Sequence, residues 1–296
     1  MFKSPSYKLN MTAEIISGKA IAENLLDNAL KPRVESLKAK GITPRLIVIL
    51  IGDHAASASY VRQKEKFADR AGIVAETWRY EDTVSEAKIL EEIERINTDD
   101  SIHGVIVQLP VPEHVSIEKI LRAIDPTKDV DGFTPENVGQ LFLGEPTLEC
   151  CTPKGIIRMI EATGEDLSGK HVVVVGRSNI VGKPVAILAL NKNATVTICH
   201  SRTKDLDAQI AQADILIVAV GRPEMITGDQ IPQGCTVIDV GIHRKETGGL
   251  CGDVHFESAA KKAKAISPVP GGVGPMTVFC LIENTIEAAE KQNALL

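Results

Sequence analysis

The sequence predicts an α/β protein of two domains, each a parallel sheet covered by helices, the second of them Rossmann-like, with the active-site cleft between the two. Three observations carry this expectation. Strand-like and helix-like segments alternate almost from end to end. The strand segments are apolar throughout, as in "RLIVILIG" (45–52) and "ADILIVAVG" (213–221), the pattern of strands buried on both faces. A proline- and glycine-rich stretch, 126–153, then divides the 296 residues into two parts of domain size.

In chain order, a helix is expected over 12–40, stopped by Gly41, then the buried strand 45–52. A helix follows over 55–72, ended by Gly72, then a strand at 73–80 and a helix at 85–97. "HGVIVQLPVP" (103–112) reads as a strand running into a proline-rich loop, with a helix at 116–122 and the loop "IDPTKDVDGFTPEN" behind it. After "CCTPKG" a helix at 153–163 leads into "KHVVVVGRSNIVGKPVAILAL", a strand–loop–helix unit. Further strands are expected at 194–200, 213–221 and 234–242, and the chain closes with "SPVPGGVGPMT" and an apolar helix over 276–290. The expected domains are 11–150 and 151–275, with the C-terminal helix, 276–296, packing back onto the first.

Bulk properties narrow the class. A composition of 44% hydrophobic and 24% charged residues is that of a soluble globular protein. A net charge of −6 and a pI near 5.7 argue against a nucleic-acid or anionic-membrane surface, and the longest apolar runs are strand-length. The six cysteines include no CxxC pair and form no disulfide framework, which points to a reducing cytoplasm. The seven histidines are scattered, so no metal is expected. Residues 1–10 precede a second methionine, Met11, and read as a leader or an alternative start.

Within "AASASYVRQKEKFADRAG" (55–72), helical spacing puts Val61, Phe67, Ala68 and Ala71 on one face, with Lys64 in the middle of that stripe and Tyr60 one turn earlier. A lysine at the edge of an apolar stripe commonly snorkels to solvent. The alternative is a functional inward amine, and two features favour it: Gln108 ends the strand in "VIVQLPVP", and Asp129 and Asp131 occupy the glycine-containing loop "KDVDGF". A glutamine, a carboxylate, a tyrosine and an inward lysine would converge at the ends of parallel strands, where α/β sites form.

"VVVVGRSNIVGKP" (172–184) is a strand ending in glycine with a loop that opens a helix, the arrangement a phosphate-binding turn needs. Its spacing, Gly176-x5-Gly182, departs from GxGxxG, and a tight turn without ligand is the competing account. In NAD-binding folds a carboxylate after the second strand accepts the ribose hydroxyls. Here that strand ends in His200-Ser201-Arg202, which with Arg177 suits a 2′-phosphate and favours NADP over NAD.

"YVRQK" (60–64), "VQLPVP" (107–112), "KDVDGF" (128–133), "CTPKG" (151–155), "GRSNIVGKP" (176–184), "CHSRT" (199–203), "DVGI" (239–242) and "PVPGGVGPMT" (268–277) occur in this order. In these motifs the chain, from Met11 onward, resembles the bifunctional methylenetetrahydrofolate dehydrogenase/methenyltetrahydrofolate cyclohydrolase family. The resemblance implies oxidation of 5,10-methylenetetrahydrofolate with NADP, then hydrolysis to 10-formyltetrahydrofolate. It implies Lys64 as proton handler, Gln108 as its hydrogen-bonding orienter, Tyr60 as a neighbour over the folate rings, and Asp131 as holder of the pterin amino edge. Val107 and Leu109 would flank the folate. Gly176, Arg177, Ser178, Ser201 and Ile242 match the family's NADP contacts. Pro270, Gly271, Gly272, Val273, Gly274, Pro275, Met276 and Thr277 match its folate- and nicotinamide-facing loop. A homodimer is implied as well. Thr134, His243, His54 and Ala55 depart from the family's usual residues; they leave the chemical set intact and bear on ligand affinity. A monofunctional dehydrogenase on this scaffold would lose Lys64 or Gln108, and a non-catalytic nucleotide-binding protein would lose the reactive set. Both residues are present.

Overall fold

The computed structural model describes residues 13–53, 55–246 and 248–293, without the side chains of 55–59. The expected leader, 1–10, and His54 lie outside the described residues. The chain runs β1 (Glu14–Ile15), α1 (Gly18–Leu25), a π-helical turn (Leu26–Leu30), α2 (Lys31–Ala39), β2 (Arg45–Ile51), α3 (Ala55–Ala71), β3 (Val74–Tyr80), α4 (Glu86–Thr98), β4 (Gly104–Val107), α5 (Ile117–Ala123) and α6 (Pro135–Leu143). It continues with α7 (Cys151–Glu161), β5 (His171–Val175), α8 (Gly182–Asn191), β6 (Thr195–Cys199), α9 (Leu206–Ile210), β7 (Ile215–Val218), a 3-10 turn (Gly228–Gln230) and β8 (Thr236–Asp239). The last elements are β9 (His243–Arg244), β10 (Leu250–Cys251), α10 (Phe256–Ala259), β11 (Ala265–Ile266) and α11 (Val273–Gln292).

The first sheet has the order β3-β2-β4, all parallel, with Ile51 opposite Tyr80 and Ile49 opposite Val107. Side chains of a strand point alternately to opposite faces. Leu46, Val48 and Leu50 therefore meet Val61, Ala68 and Phe279 of α3 and α11, whereas Ile47, Ile49 and Ile51 meet Ile89, Ile93 and Ile96 of α4. Both faces are covered, which is why β2 is apolar throughout. The second sheet has the parallel order β1-β11-β8-β7-β5-β6. Val172 and Val174 face the core shared with α7 and α8; Val173 and Val175 face the core shared with Ile210 and Ala259. The chain order reverses where β5 lies between β6 and β7, so the crevice at the ends of β5 and β7 is the topological switch point.

Three differences from the sequence reading have local causes. The expected helix at 12–40 starts only at Gly18, where the Ser17 side chain accepts the Ala20 N–H at 3.2 Å. Residues 14–15 before it form an edge strand on the second sheet, so the chain opens on the sheet of the other half. The expected loop after Asp131 contains α6, begun by a Thr134 cap with Pro135 in the first turn and stopped by Gly144 at φ 75°. α9 was likewise not expected, since its five residues are too short to show a period. The long α11 packs on α7, α1 and α3, its Phe279 ring lying edge-on to Phe67 at 6.4 Å. No helix among the described residues is long and apolar enough to cross a membrane.

Candidate active site

Lys64 lies mid-way along α3, half-buried, on the same side as buried Val61 and Ala68. Its Nζ donates to Gln108 Oε1 at 2.9 Å. Gln108 follows the last residue of β4; its backbone N–H donates to Ile49 O at 2.9 Å, continuing the ladder, and its Nε2 donates to Leu109 O at 2.9 Å. With the amide nitrogen engaged, the amide oxygen is left to face the lysine. Desolvation pushes the Lys64 pKa below the usual lysine range, opposed by the Asp131 carboxylate. Tyr60, one turn earlier and half-buried, has its phenol pKa raised by desolvation.

Asp131 is half-buried and is presented by a loop whose other charged residues hold the loop in shape. Lys128 is buried, with its Nζ donating to Ile96 O and Asp99 O at 2.8 Å each. Asp129 is buried as well; its carboxylate accepts the N–H groups of Gly132 at 3.0 Å and Thr134 at 2.7 Å, and Asn137 Nδ2 at 3.0 Å. Gly132 sits at φ 74°, and a Cβ there would lie 2.6 Å from Leu148 O, so only glycine lets the loop close. Asn284 of α11 donates to Val130 O at 2.9 Å, and Cys151 Sγ donates to the same carbonyl at 3.1 Å. Of the two carboxylates in "KDVDGF", then, Asp129 is spent on its own loop and Asp131 stands beside Lys64 and Cys151. Desolvation raises the Asp131 pKa, with Lys64 acting against the rise and Asp129 adding to it. Cys151 adjoins both Asp131 and Lys64, a placement that its motif "CTPKG" does not by itself reveal. Burial raises its thiol pKa, which disfavours the reactive thiolate.

Thr152 and Thr277 share a hydroxyl contact at 2.9 Å, joining the start of α7 to the start of α11 and carrying the site to the 268–277 segment. Gly271 O accepts the Lys19 N–H at 3.0 Å. Gly272 has an internal reason to be glycine, since a Cβ there would lie 2.5 Å from Pro268 O; around Gly274 the space is open. Pro270 is exposed and Pro275 and Thr277 are half-buried, whereas Val273 and Met276 are buried, so these two side chains serve packing. Val107 is also buried, and Leu109 is exposed at 36%.

On the second sheet, Gly176 has φ 133° and a Cβ there would lie 2.2 Å from Ala219 O, so the turn closes directly on the strand across the switch point. Ser178 Oγ accepts the N–H groups of Val181 at 3.1 Å and Gly182 at 3.3 Å, closing the loop that leads into α8. The Gly176 N–H donates to Cys199 O at 2.9 Å, which brings the turn bearing Arg177 beside the turn bearing Ser201 and Arg202. All three are exposed, neither arginine is in an ion pair among the described residues, and no carboxylate ends β6. That donor set fits a dinucleotide carrying an extra phosphate. Ile242, 50% exposed, follows β8 on the same rim. His243 and Thr134, two of the departures, are internal: Thr134 caps α6, and His243 bonds a buried aspartate.

Comparison with known proteins follows this geometry. Residues 16–131 match the family model for the tetrahydrofolate dehydrogenase/cyclohydrolase catalytic domain, and 150–293 match that family's NAD(P)-binding domain. The Bifunctional protein FolD of Bacillus subtilis (strain 168) is 53% identical over 281 residues, 95% of this chain and 99% of that protein. The Moorella thermoacetica protein of the same name is 53% identical over 281 residues, 95% of this chain and 100% of that protein. Among solved structures, the bifunctional FolD methylenetetrahydrofolate dehydrogenase/cyclohydrolase of Campylobacter jejuni superposes with TM-score 0.92 at 44% identity, over 94% of this chain and 99% of that one. The Trypanosoma brucei enzyme, solved with NADP cofactor and inhibitor, gives 0.89 at 36% identity, over 94% and 98%. The chain belongs to the tetrahydrofolate dehydrogenase/cyclohydrolase family, and its two halves are that family's catalytic and NAD(P)-binding domains.

Proposed function

We propose that this protein oxidises 5,10-methylenetetrahydrofolate to 5,10-methenyltetrahydrofolate with NADP and then hydrolyses the methenyl cation to 10-formyltetrahydrofolate. The observation that carries the reading is the Lys64–Gln108 hydrogen bond at 2.9 Å beside Asp131, a half-buried amine with lowered proton affinity in the catalytic half of a family chain.

Hydrolysis needs a group that takes a proton from water as it attacks the methenyl carbon. A lysine with lowered pKa holds a larger neutral fraction near neutrality, can accept that proton and can pass it to N5 as the C–N5 bond breaks and the formyl group stays on N10. Gln108 Oε1 accepts from Nζ and aims the amine, and once Lys64 is protonated the same bond stabilises the ammonium. Asp131 offers two acceptor oxygens to the paired N–H donors of a pterin edge, and Tyr60 supplies a flat apolar wall one turn from the lysine. Val107 and Leu109 flank Gln108, and the 270–277 segment closes the other side.

Bound NADP supplies the two-electron acceptor for the folate carbon. Arg177, Ser201 and Arg202 would hold its 2′-phosphate, Gly176 and Ser178 its pyrophosphate at the start of α8, and Ile242 the nicotinamide end. Oxidation of the methylene group yields a cation already stabilised by two nitrogens, so the protein's part in that step is positioning. We further place the enzyme in the cytoplasm as a homodimer. The six free, buried cysteines suit a reducing compartment, and the dimer rests on the family resemblance.

A spectroscopic assay with methylenetetrahydrofolate and either NADP or NAD tests the reading. Reduced nicotinamide with NADP, followed by decay of the methenyl absorbance, is expected. Absence of reduced nicotinamide with both cofactors would end it.

A further inference from the structure

Asp253 lies just beyond β10, fully buried and remote in sequence from every motif that carries the proposed chemistry. Its carboxylate collects four N–H groups from two other segments. Val220 N at 2.7 Å and Gly221 N at 3.0 Å donate to Oδ2; Arg222 N at 2.8 Å and His243 Nε2 at 2.7 Å meet Oδ1. A contact this short to a carboxylate oxygen assigns the proton to Nε2, so His243 is the donor. Three of the donors belong to the turn after β7, and the fourth belongs to the residue next to Ile242.

A second buried carboxylate backs the first. Asp239, the last residue of β8, accepts the N–H groups of Asp253 and Gly241 at 2.9 Å each on Oδ1 and of Val254 at 2.9 Å on Oδ2. Its backbone N–H donates to Ser267 Oγ at 2.8 Å, directly before the 268–272 loop. Burying two carboxylates is costly unless their oxygens are met by donors. Five of the seven donors come from the turns 220–222 and 241–243, the other two being the N–H groups of Asp253 and Val254, so much of the cost of burial is offset only while both turns keep their shape. These turns rim β7 and β8 on the far side of the switch point, and Ala219, directly before the first, is the residue against which Gly176 closes.

We propose that Asp253 and His243 are positioning residues for the cofactor: Asp253 fixes the 220–222 turn and, through His243, sets the place of Ile242 at the nicotinamide end. This rests on the assignment of that rim to NADP in the proposed function. Both residues lie in the NAD(P)-binding half and not in the half that carries Lys64, Gln108 and Asp131.

The test uses the full chain with His243→Ala, His243→Gln and Asp253→Asn. Three quantities are read: NADPH affinity by fluorescence titration, the KM for NADP, and the cyclohydrolase kcat/KM on methenyltetrahydrofolate without nucleotide. For His243→Ala the NADPH Kd and the NADP KM should both rise about five- to tenfold while the cyclohydrolase value stays within about twofold. His243→Gln, which keeps an N–H donor at similar reach, should restore most of the affinity. Asp253→Asn should shift the same readouts further; if that variant does not fold, the two His243 variants decide. Unchanged NADPH affinity in His243→Ala, or parallel loss of both activities, overturns the proposal. Wild-type protein that binds NADPH but turns over neither substrate would instead refute the enzyme reading, with the positioning role still measured by the Kd.

Discussion

Lys64 Nζ and Gln108 Oε1 are 2.9 Å apart, and the amide nitrogen of the same glutamine is held by Leu109 O at 2.9 Å. The glutamine is thereby fixed with its acceptor toward the amine, and residues 44 positions apart in the chain form one unit.

Lys64→Met removes the proton acceptor and keeps the bulk of the side chain. Cyclohydrolase turnover should fall about 10²- to 10⁴-fold, the usual worth of a positioned acid–base group, while part of the dehydrogenase activity survives. Separate assays of the two reactions on the same preparation read this out. Equal loss in both, with the circular dichroism spectrum intact, would make Lys64 a substrate-binding residue.

The pH dependence of hydrolysis follows from the direction of the Lys64 shift. Desolvation lowers its pKa and Asp131 only partly restores it. The neutral amine is the proton acceptor, so cyclohydrolase kcat/KM should rise with pH through the lowered lysine pKa and level off above it. That limb should lie below the pH range of an ordinary lysine and should vanish in Lys64→Met. A rate that falls with rising pH over the same interval would assign the acid form, not the base form, to the step.

Asp129 and Asp131, two positions apart, should respond oppositely to substitution. Asp129→Ala leaves the N–H groups of Gly132 and Thr134 and Asn137 Nδ2 without an acceptor in a buried loop and should cost roughly 3 kcal/mol of stability. Asp131→Ala removes a carboxylate whose burial is unfavourable, so stability should hold or rise while the folate KM increases. Denaturant unfolding beside steady-state kinetics separates the two; equal destabilisation would contradict the division of roles.

Cofactor choice should rest on the rim of β5 and β6. Replacing Arg177 and Ser201 together by alanine should raise the KM for NADP at least about tenfold and that for NAD less than about threefold, because only NADP presents a 2′-phosphate to a charged donor. Matching increases would show that the phosphate is read elsewhere.

Much of the site was legible before folding, for reasons specific to the residue types. Lys64 stood out because an ammonium within an apolar helical stripe is costly to bury. The strands were legible because both faces of each parallel sheet are covered, leaving no polar alternation. α6 is hard to read from sequence although Thr134, Pro135 and Gly144 form a start and a stop, since a proline beside a glycine-containing loop equally suits a loop. β1 could not be read, because two residues become a strand only when a partner edge, Ala265–Ile266, is supplied from 251 positions away.

The order of apolar runs, the glycines at turns and the motif series determined by themselves the two α/β halves and the family, and pointed to Lys64, Gln108, Tyr60 and Asp131 as the candidate chemical set. Local spacing and residue chemistry are properties of the chain. Only the tertiary structure decided that Asp129 holds its loop and Asp131 stands beside Lys64, that Met276 serves packing, and that Asp253 and His243 tie the turns after β7 and β8. Each of these depends on which distant backbone N–H groups surround a buried carboxylate or which helices enclose a side chain, and such neighbours exist only once the sheets and α11 have assembled.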